Sequence, residues 1–421
     1  MLTISGVPSG EGTTLLRRCA PDLTWQDRSP FLGASAAPVI PWLRQARRDH
    51  RRETDLQLPA SGPAPRGVAV SFAPEDGLGA HSWAAAAGLR LLAADSTAVA
   101  TAADKITSLA LFERAGVATP RTWVVADDIP AGATGSLVVQ RRANNLTGKG
   151  TRHVTTQEQL AEVLRAWSGE TLRVSAHGDG VPVTVSGCVT RQGTVVSALS
   201  HQLVGIAELT PYWGAHCGNQ LVPDDDLPAG AAARCREVCA AVGNQLAQSG
   251  FLGAFGLDVL VTPDSAVVAI EINPRFQTVV SLVQAQERAA GLLPSLGTHV
   301  LASLLPSVPV EQVRTRCLRL SQLVVTADRA GVLRAGITSG VHRLARGRLQ
   351  QGGEGDLAAL RSGEALLWAH AHPGDRVQPG EELALLQFPG PVAAVSASPE
   401  LRAEARQWVR AVRHALVVED A

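Results

Sequence analysis

Two apolar runs, Leu257 to Val261 and Ala266 to Asn273, flank the turn-forming residues Thr262, Pro263, Asp264 and Ser265. β-Branched runs on either side of such a turn predict a β-hairpin. With the turn centred on Asp264 and Ser265, Asp258 stands directly opposite Glu271, and Asn273 shares the face of Glu271. Facing carboxylates weaken a sheet. A divalent cation relieves that cost, and an Asp/Glu/Asn oxygen set suits hard Mg²⁺. Arg275 follows as a planar cation shaped for phosphate or carboxylate.

Upstream, short apolar strands and helices alternate: a strand at Leu2 to Val7, another at Gly67 to Phe72, a helix at His81 to Leu89 and a strand at Leu89 to Ala93. Alternation of this kind predicts a small α/β domain over about residues 1–97. The Gly10-Glu11-Gly12-Thr13 run has Thr13 where a Walker A loop needs Lys, so it reads as a βα turn. The basic stretch Trp42 to Arg52 reads as a solvated helix face. Ala98 to Ala115 predicts one long helix, stopped by Gly116 and Pro120. Strands follow at Thr122 to Ala126 and Ser136 to Arg141, then a polar loop from Asn144 to Thr151, a helix from Thr156 to Trp167 and an extended piece at Leu172 to Ala176. The next lobe has strands at Val181 to Thr190 and Thr194 to Ser200, an irregular His201 to Leu221, and a helix from Ala229 to Gln248. Leu282 to Ala290 reads as helix, the chain beyond Pro306 as strands and turns, and Pro399 to Leu416 as a last amphipathic helix.

The fold class expected is therefore α/β (α+β), in three parts: residues 1–97, a two-lobed 98–305 (lobes about 120–178 and 179–305), and a β-rich 306–421. Composition narrows the partners. The 421 residues carry 38 basic and 38 acidic side chains, so nothing marks a nucleic-acid or membrane partner. The start lacks the pattern of a signal peptide, and a soluble, cytoplasmic protein is expected. Cys235 and Cys239, one helical turn apart, read as core thiols. Only two of the basic residues are lysines, Lys105 and Lys149; a compact ammonium kept so sparingly suggests a phosphate contact. Gly148 and Gly150 flank Lys149 in a loop whose amides can approach phosphates.

These residues resemble the ATP-grasp superfamily of ATP-dependent ligases. Asp104-Lys105 with Ala115-Gly116-Val117-Ala118-Thr119-Pro120, Gly148-Lys149-Gly150, Gly253 to Asp258, and Glu271-Ile272-Asn273-Pro274-Arg275 are similar to its motifs and stand in its order. The resemblance implies that Lys105, Lys149, Gly148 and Gly150 contact ATP, and that Asp258, Glu271 and Asn273 hold two Mg²⁺ (Mn²⁺ being an alternative). It implies further that Arg275 and Lys149 assist transfer. A small-molecule carboxylate would attack the γ-phosphate, and an amine would displace phosphate from the acyl phosphate. Two positions depart from the pattern: Gln140 stands where a second lysine is usual, and the hinge Ser175-Ala176-His177-Gly178 lacks an acid. Gln140, Ser175 and His177 are placed at the nucleotide nonetheless. The segment from His201 to Asn219 offers His201, Tyr212, His216 and Asn219, with Arg275, as candidate substrate contacts. Ala371 to Ala384 looks like a piece of a biotinyl-type barrel-sandwich, but has no lysine to carry biotin. The alternatives are a bicarbonate-activating enzyme like biotin carboxylase and a nucleotide-binding regulator without turnover. A homodimer is a further expectation.

Overall fold

The computed structural model describes residues 67–70, 84, 89–142, 148–304, 317–353, 355 and 357–420. The expectations for Leu2 to Val7, Gly10 to Thr13, Trp42 to Arg52, most of His81 to Leu89, and Asn144 to Thr147 lie outside the described residues. Strands β1 (Gly67–Val70) and β2 (Leu89–Leu92) pair in parallel, which requires a crossover between them.

The long helix expected from Ala98 is two helices, α1 (Ser96–Ala103) and α2 (Thr107–Arg114). Asp104 breaks it by taking an extended conformation (ψ 120°), and its Oδ1 accepts from the amides of Ile106 (2.8 Å) and Thr107 (3.0 Å). A short acidic side chain thus competes with the helix for its own backbone. Lys105 sits in the break, which frees its side chain from either helix surface.

Four antiparallel strands form the first lobe: β3 (Thr122–Val125), β4 (Leu137–Arg141), β5 (Thr151–Val154) and β6 (Leu172–Ala176), ordered β3-β6-β4-β5. Helix α3 (Gln157–Ala166) opens with a Thr156/Gln159 capping box. Its Leu160 and Leu164 cover Leu137, Val139, Leu172 and Val174 on one face of that sheet. Alternation leaves Gln140, Arg173 and Ser175 on the other face.

A ten-stranded sheet carries the rest. Its strands β7 (Val181–Thr190), β8 (Gly193–Val204), β9 (His216–Leu221), β10 (Gly253–Val261) and β11 (Val267–Asn273) run in the order β11-β10-β7-β8-β9. The sheet then continues through β12 (Ser321–Thr326), with Gln322 opposite Asn219. After a small strand β13 (Gly331–Ala335), β14 (Gly340–Ala345), β15 (Arg348–Gly353), β16 (Glu364–Ala369) and β18 (Glu382–Phe388) complete it; β17 (Arg376–Val377) and β19 (Val417–Glu419) pair with β13 instead. The chain on either side of the expected 305/306 division therefore shares one sheet. The stretch from His201 to Leu221 is less irregular than its composition suggests: β8 and β9 occupy its ends, and only residues 205–215 between them are non-strand.

The back of this sheet is apolar. Val183, Val185, Leu257 and Ile272 pack against Cys235, Cys239 and Val242 of helix α4 (Ala231–Gln248), the two cysteines being core thiols as expected. Leu203, Leu323 and Leu386 pack against Trp408 and Val412 of the C-terminal helix. The front bears the polar side chains, partly covered by α5 (Val280–Ala289) and α6 (Ser295–Leu304), leaving α7 (Ala403–Ala415) to the back.

Candidate active site

The β10–β11 hairpin sets Asp258 opposite Glu271, and does so by two compensating departures from a tight turn. The loop closes between Thr262 and Ala266 (amide to carbonyl 2.9 Å), which pairs Val261 with Val267 and puts the strands one residue out of the expected step. A bulge between Ala269 and Glu271 adds the missing residue, Ile270. The Ile270 carbonyl, displaced from the ladder, accepts from Arg173 Nη1 of the first lobe at 2.8 Å.

Each acid is held differently. Asp258 Oδ1 accepts from Thr184 Oγ1 (2.6 Å) and Gln277 Nε2 (3.2 Å), and its Oδ2 from Asn273 Nδ2 (2.9 Å). Burial, then the Glu271 charge, push the Asp258 carboxyl above the usual range. Gln277 reaches it only because residue 256 is glycine: a Cβ there would lie 1.8 Å from Gln277 Oε1. Glu271 bonds Lys105 Nζ at 2.5 Å, with Lys105 only 5 % exposed. Burial works to raise its carboxyl too, but Lys105, Arg275 and Arg173 together hold it below the ordinary value. Asn273 Oδ1 accepts from Arg275 Nη2 at 3.0 Å.

Two carboxylates thus stand among three cations, Lys105, Arg173 and Arg275. That balance suits a polyanion brought together with its cation better than a bare metal ion. The donor chemistry agrees, since Asp258, Glu271 and Asn273 present only oxygens to a hard cation. Among the described residues no three His, Cys, Asp or Glu side chains gather into a metal site. The set here differs in having two acids and an amide.

Arg173 was not singled out by the sequence, and it is the most buried charged group near the pair, 1 % exposed. It stands directly opposite Gln140 in the β4–β6 register, so the neutral Gln140 and a cation share one position on the cleft face, with Ser175 two residues along. An arginine inside a short, otherwise uncharged strand, LRVSA, is the signal that could have found it. Arg141 turns the other way and pairs bidentately with exposed Glu170 (2.7 and 2.6 Å).

The glycine loop is seated on residues 205–215. Gly148 has φ +69°, and a Cβ on it would lie 2.7 Å from the Ala215 nitrogen. Lys149 Nζ lies 5.9 Å from the Tyr212 ring centroid, and Tyr212 donates to the Pro379 carbonyl (3.3 Å). Trp213 stacks on His153 (4.6 Å) and lies 5.7 Å from the exposed His177, so His177 meets the other lobe through an aromatic contact. Gly150 is buried and its carbonyl pairs with the Arg141 amide (2.9 Å).

The two candidate histidines part company. His216 and Asn219 are hydrogen-bonded (2.6 Å), and Asp258, Arg275 and Glu382 act electrostatically on His216. His201 does not join them. It lies opposite Val183 on the back of the sheet, fully buried, with its Nε2 3.0 Å from the Ser396 carbonyl. Strand alternation is the reason: Ser200, its neighbour, takes the front. A small cavity of about 20 Å³ adjoins Arg275 between β7, β10 and α6, lined by Phe255, Phe276, Ser186, Ser197 and Thr298.

Residues 102–279 match the family model of the ATP-grasp domain. No curated protein matches the chain in sequence. Among solved structures, an L-amino acid ligase from Bacillus licheniformis superposes with TM-score 0.56 at 11 % identity, covering 90 % of this chain and 85 % of that one. A biotin carboxylase from Campylobacter jejuni gives 0.54 at 14 % identity, covering 84 % and 74 %. An N5-carboxyaminoimidazole synthase from Aspergillus clavatus, in complex with ADP and its ribonucleotide, gives 0.53 at 12 % identity, covering 85 % and 92 %. At these identities the likeness is one of fold. Residues 102–279 are thus similar in sequence to the ATP-grasp domain family, and the whole chain is similar in fold to these enzymes.

Proposed function

We propose that the protein is an ATP-dependent ligase that activates a small-molecule carboxylate as an acyl phosphate and joins it to an amine, releasing ADP and phosphate. The observation that carries this reading is the Asp258–Glu271 pair held among Lys105, Arg173 and Arg275 within an ATP-grasp domain. Phosphoryl transfer needs positioning and charge neutralisation more than a covalent nucleophile. Asp258, Glu271 and Asn273 would hold Mg²⁺, which supplies charge neutralisation at the phosphates when bound. Lys105, which pairs with Glu271 in the structure, would contact a phosphate. Gln140 and Ser175 lie along the nucleotide on the cleft face, and Arg173 supplies the charge that Gln140 lacks. Gly148, Lys149 and Gly150 cover the phosphates from the other side, and His177 stays at the margin. Arg275 holds the acyl substrate's carboxylate. Tyr212 and His201 act as supports, the first under the lysine loop and the second behind the sheet.

ADP release with Mg·ATP and pools of amino acids, dipeptides and small organic acids tests the reading. Pool-dependent release that Glu271→Gln abolishes is the expected result. Absence of nucleotide binding would overturn it.

A further inference from the structure

We propose that His216 is the general base of the second half-reaction, with Nδ1 as the atom that takes the proton from the attacking amine. The proposal rests on the ligase reading and adds to it the residue that handles the acceptor.

The hydrogen-bond chain behind His216 fixes its tautomer. Ser200 Oγ gives its proton to the Thr184 carbonyl (3.4 Å), so it accepts from Asn219 Nδ2 (3.3 Å). That turns Asn219 Oδ1 toward His216 Nε2 at 2.6 Å. An amide oxygen only accepts, so Nε2 carries the hydrogen and Nδ1 is left with its lone pair. The chain begins at the metal hairpin itself, because Thr184 is also the residue whose hydroxyl holds Asp258.

The surroundings suit a base. His216 is half-buried, and burial favours its neutral form below the ordinary imidazole range. The charged groups that face it are Asp258 from β10, Arg275 after β11 and Glu382 from β18. Glu382 is held in turn by His370 Nδ1 at 3.0 Å. His216 therefore stands between the hairpin that would hold the phosphates and the strand that the C-terminal part adds to the sheet.

In the step itself, the amine arrives as its free base and its lone pair forms the C–N bond at the acyl carbon. The proton then in excess on nitrogen passes to His216 Nδ1. The C–O bond to phosphate breaks, its electron pair leaving on the phosphate.

Hydroxylamine separates this role from the first half-reaction, because it is largely unprotonated at pH 7 and traps an acyl phosphate as hydroxamate. With Mg·ATP and pooled L-amino acids, His216→Gln and His216→Asn should keep hydroxamate formation while amide formation falls about 10²-fold or more. Equal loss of both products, or loss of neither, overturns the proposal. Wild-type protein that yields no hydroxamate with any pool of amino acids, dipeptides or small organic acids removes the ligase reading instead, a separate failure. A readout without substrate completes the test: ¹⁵N NMR of the full chain, assigned with His216→Gln, should show a neutral, Nε2-protonated ring at pH 7. An imidazolium or an Nδ1-protonated ring there overturns the proposal.

Discussion

Two neighbouring rows of side chains cross the same four strands of the large sheet and share almost nothing. Glu271, Asp258, Thr184 and Ser200 form the front row, and Ile272, Leu257, Val185 and Leu199 the one behind it. The back row is apolar and lies within one continuous core with α4. In the front row Thr184 donates to Asp258, Glu271 pairs with Lys105, and Ser200 accepts from Asn219. A one-residue change of register would exchange the two, so the back row's burial is what fixes the front row's chemistry. The same contrast divides the histidines: His201 is satisfied by backbone behind the sheet, whereas His216 keeps a lone pair in front of it.

The largest effect expected falls on the front row. Asp258→Asn should lower ADP formation about 10³-fold or more, some 4 kcal/mol of transition-state stabilisation, while the fold persists. Asn keeps the shape and relieves a buried charge, so thermal melting should change little. Activity measured beside the melt checks both; a collapsed melt would mean that the row is structural.

How much of this contrast was legible in sequence depends on range. The hairpin, its two acids and Asn273 could be read because composition and alternation act locally. The turn was misplaced, and the Ile270 bulge, whose carbonyl is satisfied from another lobe by Arg173, restored the pairing. The break at Asp104 was missed because Ala-rich flanks outweigh one capping side chain. His201 and His216 look alike in a polar stretch; only the strand register, set by Val183 and Val204 across β7 and β8, separates their faces. The continuation of the sheet into β12 pairs Asn219 with Gln322, about a hundred residues apart, which no local pattern encodes.

Two buried histidines, His201 behind the sheet and His299 on α6 in front of it, predict a pH dependence of stability. Burial pushes His201 down to about 4, and His299, whose ring lies between the Ala254 amide and the Leu92 carbonyl, likewise to about 4. Unfolded, both take protons near 6.5, so the unfolded state binds more protons below that value. Their contribution is full above pH 6.5 and is lost as pH falls toward 4, by about 3 kcal/mol apiece. Denaturant titrations between pH 4 and 7 measure it, and His201→Gln should flatten the slope without altering the pH–rate profile. His216→Gln, which also removes a histidine held low by burial, should alter the pH–rate profile as well.

A smaller effect sharpens the view of the glycine loop. Gly148→Ala forces a Cβ against the Ala215 backbone and strains a positive φ, costing about 1–2 kcal/mol. The loop should lift from residues 212–215, raising the KM for ATP about tenfold while leaving stability of the large sheet unchanged. Unaltered KM would place the loop outside the nucleotide site.

The smallest effect belongs to Arg141, which sits one residue from Gln140 and faces away from it. Its bidentate pair with Glu170 is exposed, 46 % and 35 % for the two side chains. Solvent screens such a pair, and Arg141→Ala should change stability by less than about 1 kcal/mol and leave ADP formation unaltered. Arg173→Met, one strand over and pointing into the cleft, removes a bond to Ile270 and a counter-charge to Glu271. It should weaken ATP binding in a titration that Arg141→Ala does not move. If the two variants bind ATP alike, parity along β4 and β6 does not sort the lobe's cations, and the contrast between faces holds only for the large sheet.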